Sequence, residues 1–255
     1  MDLGAYDQYS FAGAAMVGTI LAAGLSLWWI NRPASAKVRQ SILGIVPQFP
    51  NLIGVLFGLN LAFLANDTWT AHDRATEASY READSLLSLR AVAKNLTPPL
   101  RQQVESTLDA YGREVVAVEW PLLGRRQNSA KAAEYLDRLL GLLATPTIAE
   151  VIGGNAHALM FQQVSEVRHM RDLRIALSQT HVNPLKWLGM AFLGLLTMLS
   201  VLAVHLEVPR AQVLAVLLFA AAAAPSAAIL LILGNPYQQP LAVTPWPIAQ
   251  LLTAN

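Results

Sequence analysis

Four long apolar runs without a charged side chain constrain this chain more than any other feature. They are Gln8–Asn31, Gln40–Asn66, Trp187–Leu206 and Ala211–Asn255. A helix needs about 20 apolar residues to cross a bilayer core, and it satisfies its own backbone polar groups in lipid. The sequence therefore predicts an integral membrane protein with four spans.

The spans fall into two pairs around a polar middle, which predicts an all-α membrane protein. Four transmembrane helices form two hairpins flanking a helical extramembrane domain. The spans are centred on Phe11–Ile30, Ile42–Leu64, Leu188–Leu206 and Ala211–Gly234. The expected segments are 1–66 and 187–234 for the hairpins, 67–186 for the helical domain and 235–255 for a proline-rich tail.

The second span carries Pro47 and Pro50 in its first half. Because proline lacks a backbone donor and disturbs a helix, two interpretations stay open. The span begins late, near Pro50, or it is a broken helix that lines a cavity.

Apolar residues recur every three or four positions through the middle, which predicts helices. Leu96-Thr-Pro-Pro99 should end one helix and start the next, and Pro121 should end that one. Asn128 or Ser129 can cap a third helix. Thr147 with Glu150 matches a capping box for a fourth, expected to run almost to Pro184.

Composition excludes several functions. The chain has no cysteine and a formal net charge of +1, so thiolate chemistry is excluded and no global field favours nucleic acid. No HExxH pattern, metal-spaced carboxylate cluster or phosphate-binding glycine loop is present. We therefore expect no enzyme activity, catalytic residue, metal or cofactor, and no nucleic-acid partner.

One face of the second span carries the candidate pore-lining residues, spaced four, three, four and three. They are Ile53, Phe57, Asn60, Leu64 and Asp67. Around a symmetry axis they would form an apolar constriction, an amide ring and an acidic ring that favours cations. The alternative is ordinary helix packing.

Charged residues of the middle supply the other candidates. Glu82 falls on an apolar stripe, so it needs a partner, either Arg74 or an arginine of the fourth helix, unless it marks a ligand or ion site. Arg168, Arg171 and Arg174 form a basic patch before the third span. Such a patch contacts lipid headgroups or lines an anion vestibule.

Several short motifs occur in a distinctive order. They are Phe63-Leu-Ala-Asn-Asp-Thr-Trp69, Arg81-Glu-Ala-Asp-Ser-Leu86, Leu96-Thr-Pro-Pro99, Tyr111, Glu119-Trp-Pro121, Gly234-Asn-Pro-Tyr237 and Val243-Thr-Pro245. The order resembles a bestrophin-like family of bacterial membrane proteins of unknown function over nearly the whole chain. Asp84, Tyr237 and Gln239 depart from the family's usual Asn, Phe and Gly.

The resemblance implies an architecture and a function. Bestrophins are pentameric anion channels whose second span lines a hydrophobic neck, so the resemblance implies an oligomeric channel for inorganic ions, pentameric by analogy. A membrane-anchored scaffold that binds a partner protein is the alternative. We expect the chain to lie in the lipid bilayer of a bacterial inner membrane.

The orientation of the helical domain depends on a close count of basic residues. Six flank the spans on the domain side and four on the other; the four are Arg32, Lys37, Arg39 and Arg210. The positive-inside rule discounts long loops and, applied strictly, places the domain outside the cytoplasm. The resemblance to bestrophins favours a cytoplasmic domain and cytoplasmic termini, which is our expectation.

Overall fold

The computed structural model describes residues 7–42, 48–179, 184–239 and 241–253, and within these ranges every regular element is helical. The α-helices in chain order are α1 Asp7–Ile30, α2 Ala36–Ser41, α3 Gln48–Ala93, α4 Pro98–Glu114, α5 Trp120–Leu123, α6 Ala130–Leu143, α7 Pro146–Ile152, α8 Gly154–Gln179, α9 Pro184–Val204, α10 Pro209–Ile232 and α11 Trp246–Thr253. A 3-10 turn at Pro33–Ser35 precedes α2, and a π-helical segment at Val115–Glu119 joins α4 to α5.

Four helices are long and apolar enough to cross a membrane. Their qualifying portions are Tyr9–Ile30, Asn51–Ala93, Leu185–Val204 and Pro209–Ile232. The prediction of four membrane-length helices in an otherwise helical chain is therefore confirmed for the described residues.

The chain divides into two compact units. The first comprises Met1–Trp69 and His181–Gly234, and the second comprises Thr70–Thr180 and Asn235–Asn255. In the first, α1 packs against α10 and α9 through a cluster that includes Ala23, Met198 and Val216. The segment that begins at Asn235 thus belongs to the second unit.

The second unit has a continuous apolar core. Residues of α3, α4, α6 and α8 supply most of it, and Tyr237, Ile248 and Leu251 of the C-terminal segment complete it. Burial of apolar surface at roughly 25 cal/mol per Å² is the main stabilising contribution. Prolines do keep the C-terminal segment from being helical throughout, yet α11 forms within it and packs into the core.

The start of α3 decides between the two interpretations of the second span. The helix begins at Gln48 and continues without a break to Ala93, so Pro50 lies in its first turn. The first four N–H groups of a helix have no intrahelical acceptor, so proline is tolerated there. From Gln48 onward, the structure therefore agrees with a second span that begins late rather than with a broken helix. Pro47 lies outside the described residues.

Helix ends in the second unit agree with the sequence predictions only in part. Ser129, one of the two predicted candidates, caps α6, because its Oγ accepts a hydrogen bond from the Ala132 amide at 3.3 Å. The prediction that Thr147 and Glu150 open a single fourth helix is wrong. Thr145 is the N-cap of α7, and Gly153, at a φ of 80°, ends that helix before α8 begins. Glycine adopts this backbone conformation without the penalty other residues incur.

Pro121 does not end the helix that contains it, contrary to the sequence prediction. The π-helical segment Val115–Glu119 precedes it, and the chain continues as α5 to Leu123. Proline normally clashes with the carbonyl of the fourth preceding residue. The wider π turn shifts the hydrogen-bond register just before Pro121, so the helix can continue.

We predict that Gly124→Ala destabilises the second unit. A Cβ at Gly124 would lie 3.0 Å from the Tyr237 carbonyl oxygen, a backbone atom that cannot rotate away. Such overpacking costs roughly 1–3 kcal/mol. Urea unfolding in mild detergent measures the change.

Gly141→Ala is the matched control, because a Cβ there meets no atom within 4 Å. Alanine in place of a helical glycine should stabilise by up to about 1 kcal/mol. Equal effects of the two substitutions would show that the contact between Gly124 and Tyr237 does not constrain the fold.

Candidate functional site

Glu82 of α3 and Arg174 of α8 form a fully buried ion pair in the second unit. Arg174 Nε donates to Glu82 Oε2 at 2.6 Å, and Arg174 Nη2 donates to Glu82 Oε1 at 2.9 Å. The Tyr111 hydroxyl also donates to Oε1, at 2.6 Å. A carboxylate buried without such donors would be strongly unfavourable, so these bonds account for an acid on an apolar stripe.

A second buried pair adjoins the first. Arg171 Nη2 donates to Glu119 Oε2 at 2.6 Å, and Arg174 Nη2 approaches Glu119 Oε1 at 3.4 Å. The Ser129 carbonyl accepts from Arg171 Nη2 at 2.8 Å, and the Ser129 amide donates to Glu119 Oε2 at 3.2 Å. We call Glu82, Glu119, Arg171, Arg174 and Tyr111 the ion network; its two acids balance its two cations.

The π-helical segment positions Glu119 in the network, since Glu119 is its last residue. The extra residue in the turn changes which face of the helix the following side chains occupy. π-bulges occur frequently at functional sites. The same local irregularity thus accommodates Pro121 and delivers a carboxylate to the core.

Aromatic residues connect the network to the C-terminal segment. The Arg174 guanidinium carbon lies 4.8 Å from the Trp120 ring centroid, within the range of a cation–π interaction. Trp120 packs edge-to-face against Tyr237, with centroids 5.4 Å apart, and its Nε1 donates to the Val243 carbonyl at 2.7 Å. Asn235 Nδ2 donates to the Leu123 carbonyl at 3.2 Å, and this bond holds the segment against α5.

The environment fixes the protonation of the network. Burial raises the pKa of Tyr111 well above its ordinary value, and the negative charge of Glu82 raises it further. Burial acts to lower the pKa of Arg174, but attraction to Glu82 and its other neighbours outweighs this and raises it. Tyr111 is therefore a neutral donor and Arg174 a cation near neutral pH, which suits fixed cross-links rather than proton transfer.

The structure separates the three arginines that the sequence analysis grouped as a basic patch. Arg168 is exposed and pairs with Asp137, whereas Arg171 and Arg174 are buried against carboxylates. The expectation that Arg171 and Arg174 contact headgroups or an anion is corrected, because their charges are already compensated inside the unit. Glu82 takes Arg174 as its partner, the fourth-helix alternative rather than Arg74.

The five residues predicted to line a pore have different surroundings in the first unit. Phe57 packs against Phe219, with ring centroids 5.6 Å apart, and Leu64 is buried in a cluster with Met190 and Leu230. Ile53 and Asn60 are half-buried. The Phe57 and Leu64 side chains thus contact other helices of the same chain instead of lining an open face.

Asp67 also differs from the sequence expectation. Its Oδ2 accepts a bond from Lys186 Nζ at 2.5 Å, and both side chains are about half exposed. A paired acid contributes less negative potential than a free one. The acidic ring expected at this level would therefore be largely neutralised.

A neighbouring face of α3 in the first unit is open along its length. Leu52, Leu56, Leu59 and Phe63 are between 47% and 69% exposed. At 3.6 residues per turn they share one face, rotated by about 100° from the predicted residues. We call these four residues the open face of α3. Their spacing of four, three and four was readable in the sequence, but which stripe packs inside was not.

The network combines motifs that the sequence analysis recorded without assigning them roles. Glu119 and Trp120 contact Arg174, Tyr111 binds the same carboxylate as Arg174, and Tyr237 and Val243 from the C-terminal segment contact Trp120. The available signal was chemical: acids, a tyrosine and arginines each stood on otherwise apolar helix faces.

Within the described ranges, no group of three or more His, Asp or Glu side chains is arranged to hold a metal ion.

We predict that Tyr111→Phe destabilises the second unit by about 1–3 kcal/mol, because Glu82 Oε1 loses a buried donor. Tyr80→Phe is the control, since Tyr80 is exposed on α3, and its effect should stay within about 0.5 kcal/mol. Urea unfolding in detergent compares the two. Indistinguishable midpoints would refute the role given to the hydroxyl.

Comparison with known proteins gives consistent results at the level of family and fold. A sequence profile of the Bestrophin-like domain matches residues 17–248. A variant of a bacterial bestrophin homologue from Klebsiella pneumoniae superposes with a TM-score of 0.65 at 13% identity, covering 93% of this chain and 94% of that one. A second variant gives 0.61 at 13% identity, covering 94% and 96%.

No curated protein sequence matches significantly. The structural matches establish the shared fold, and the profile, which spans most of the chain, establishes the family. Together with its four membrane-length helices, they show that this chain is a membrane protein of the Bestrophin-like domain family.

Proposed function

We propose that this chain is the subunit of an oligomeric ion channel or pore with a bestrophin-like layout, and that α3 lines the pathway. The observation that carries the proposal is the open face of α3. It offers a row of large apolar side chains that other helices of the chain leave uncovered. Arranged around an axis, such a row forms a hydrophobic constriction that gates by dewetting.

This proposal keeps the second span as the lining element and moves the lining face. Phe57 and Leu64 are engaged in packing, so Leu52, Leu56, Leu59 and Phe63 replace them. Ile53, Asn60 and Asp67 flank this face. Because Asp67 is paired with Lys186, we expect weaker discrimination by charge than an acidic ring would give.

The arrangement of the chain follows from the same proposal. Residues 1–66 and 187–234 would form two membrane hairpins, with the helical domain 67–186 outside the bilayer and the tail 235–255 joined to it. In an inner membrane we place the helical domain and both termini in the cytoplasm, by analogy with bestrophins. A partner-binding scaffold remains the alternative if the protein does not conduct.

We predict that Leu56→Ala and Phe63→Ala raise ion flux through purified protein in liposomes severalfold, because a smaller side chain widens and wets the constriction. Leu218→Ala is the control, since the exposure of Leu218 lies between those of Leu56 and Phe63 but Leu218 is on α10. Flux is followed with a fluorescent ion indicator inside the vesicles.

Two outcomes contradict the proposal. If wild type and both variants fail to conduct, the scaffold alternative takes its place. If Leu218→Ala raises flux as much as Phe63→Ala does, the pathway does not follow α3.

We predict that the protein is a homo-oligomer in detergent and in lipid. A Cβ at Gly13 or Gly24 of α1 would meet no atom within 4 Å, so small residues face away from the chain and allow close helix approach. Cross-linking followed by mass photometry should show a multiple of the 27.6 kDa chain. A monomer alone would rule out a pore built around an axis.

We predict that a reporter enzyme fused after Asn255 is active on the cytoplasmic side. The bestrophin-like layout favours this orientation, whereas the four basic residues in the short loops favour the opposite one. Paired fusions of a cytoplasm-active and a periplasm-active reporter measure it. Activity of the periplasm-active reporter alone would show that the C-terminus lies on the opposite side of the membrane.

A further inference from the structure

Basic residues collect at one end of the first unit, where α1 and α9 finish and α10 begins. They are Arg32, Lys37, Arg39 and Arg210, and we call them the basic rim. Within the described residues no carboxylate lies within ion-pair distance of any of the four, and Glu207 is the sole acid in the adjoining loops. The rim therefore holds an uncompensated positive charge.

Three hydrogen bonds bring the rim together. Arg39 Nη2 donates to the Leu206 carbonyl at 2.7 Å, which ties α2 to the loop before α10. The Ser35 hydroxyl donates to the Trp29 carbonyl at 2.7 Å, which folds the connector onto the end of α1. Asn31 Nδ2 lies 3.5 Å from Gln212 Oε1 on α10. These bonds hold the connector that carries Arg32, Lys37 and Arg39 against the end of α1, the loop before α10 and the first turn of α10.

Aromatic side chains mark this edge as a bilayer interface. Trp28 and Trp29 are about half exposed at the end of α1, and tryptophan is enriched at the headgroup level of membranes. The Arg32 guanidinium stacks on the Trp28 ring at 3.2 Å from its centroid. If Trp28 lies at the headgroup level, the guanidinium stacked on it is within reach of lipid phosphates.

An apolar groove of about 460 Å³ begins beside the rim and continues into the membrane-spanning region of the same unit. Its walls are Trp29, Ile30, Ile42, Ile53, Leu199 and Leu202, together with Ser26, Leu196, Ser200 and Ala203. Ile30 and Ile42 bracket the connector that carries three of the four cations. Leu202 lies one helical turn before the carbonyl that binds Arg39. The groove therefore lies next to both ends of the connector that carries Arg32, Lys37 and Arg39.

We propose that this site binds one anionic phospholipid, with its phosphate on the basic rim and one acyl chain in the groove. The cations supply charge-assisted hydrogen bonds that arginine in particular makes to phosphate. The continuous apolar groove selects a lipid over a free anion, because a free anion would leave the groove unused. The proposal does not depend on conduction.

Native mass spectrometry of the full-length protein in detergent tests the site with three probes: dioleoyl phosphatidylglycerol, dioleoyl phosphatidylcholine and inorganic phosphate. Phosphatidylglycerol should bind at one per chain, roughly tenfold more tightly than phosphatidylcholine. Inorganic phosphate should neither bind at that stoichiometry nor displace the lipid. Equal binding of the two lipids, or displacement by phosphate, overturns the proposal.

Two sets of variants separate the rim from the groove. The triple variant Arg32→Gln, Lys37→Gln and Arg210→Gln should abolish the preference for phosphatidylglycerol, while the charge-matched triple variant Lys94→Gln, Arg113→Gln and Arg138→Gln in the second unit should retain it. Ser200→Phe, which fills the groove, should weaken the binding of both lipids to a similar extent. Size-exclusion profiles confirm folding of each variant. An unchanged preference in the rim variant, or loss of it in the matched control, contradicts the assignment.

Discussion

The buried bidentate pair of Glu82 and Arg174 is the interaction on which the second unit depends. It joins α3 to α8, receives Tyr111 from α4 and stacks against Trp120, which in turn holds the C-terminal segment. Burying two charges is costly, and their attraction repays that cost only when the geometry and further hydrogen bonds are favourable. The network satisfies its carboxylates with donors from three parts of the chain, namely α4, α8 and the N-cap of α6, so these elements have to assemble together.

The first unit, which contains the membrane-length helices, is stabilised by different interactions from the second. In lipid, helix association depends on packing and small residues rather than on the hydrophobic effect. The first unit accordingly has small apolar clusters, open glycines on α1 and an open face on α3. These uncovered surfaces account for the proposed oligomer, whereas the polar rim at the end of α1 accounts for the proposed lipid. The first unit thus offers one kind of surface to a second copy of the chain and another to lipid in the two proposals.

The sequence was sufficient for the spans because charge-free length is a direct requirement of the bilayer. It also narrowed the α6 cap to Asn128 or Ser129 and offered a fourth-helix arginine among the partners for Glu82, since both follow from unsatisfied polar groups. It did not predict the direction of the α3 stripe, because both adjacent faces of that helix carry large apolar side chains and tertiary contacts choose between them. Nor could it show that Arg171 and Arg174 turn inward, because a cluster of arginines near a span has the same pattern whether it meets lipid or carboxylates. The π turn before Pro121 is equally invisible to periodicity, since it shifts the register by a single residue.

A double-mutant cycle on Glu82 and Arg174 tests most directly whether the ion network organises the second unit. Glu82→Gln and Arg174→Met should each destabilise by roughly 3–5 kcal/mol, because each leaves the other charge buried with a weaker partner or none. The double variant removes both charges and retains an acceptor for Tyr111. Urea unfolding should therefore show a loss smaller than the sum of the single losses by about 3 kcal/mol. Single losses that add to within about 0.5 kcal/mol would contradict the account.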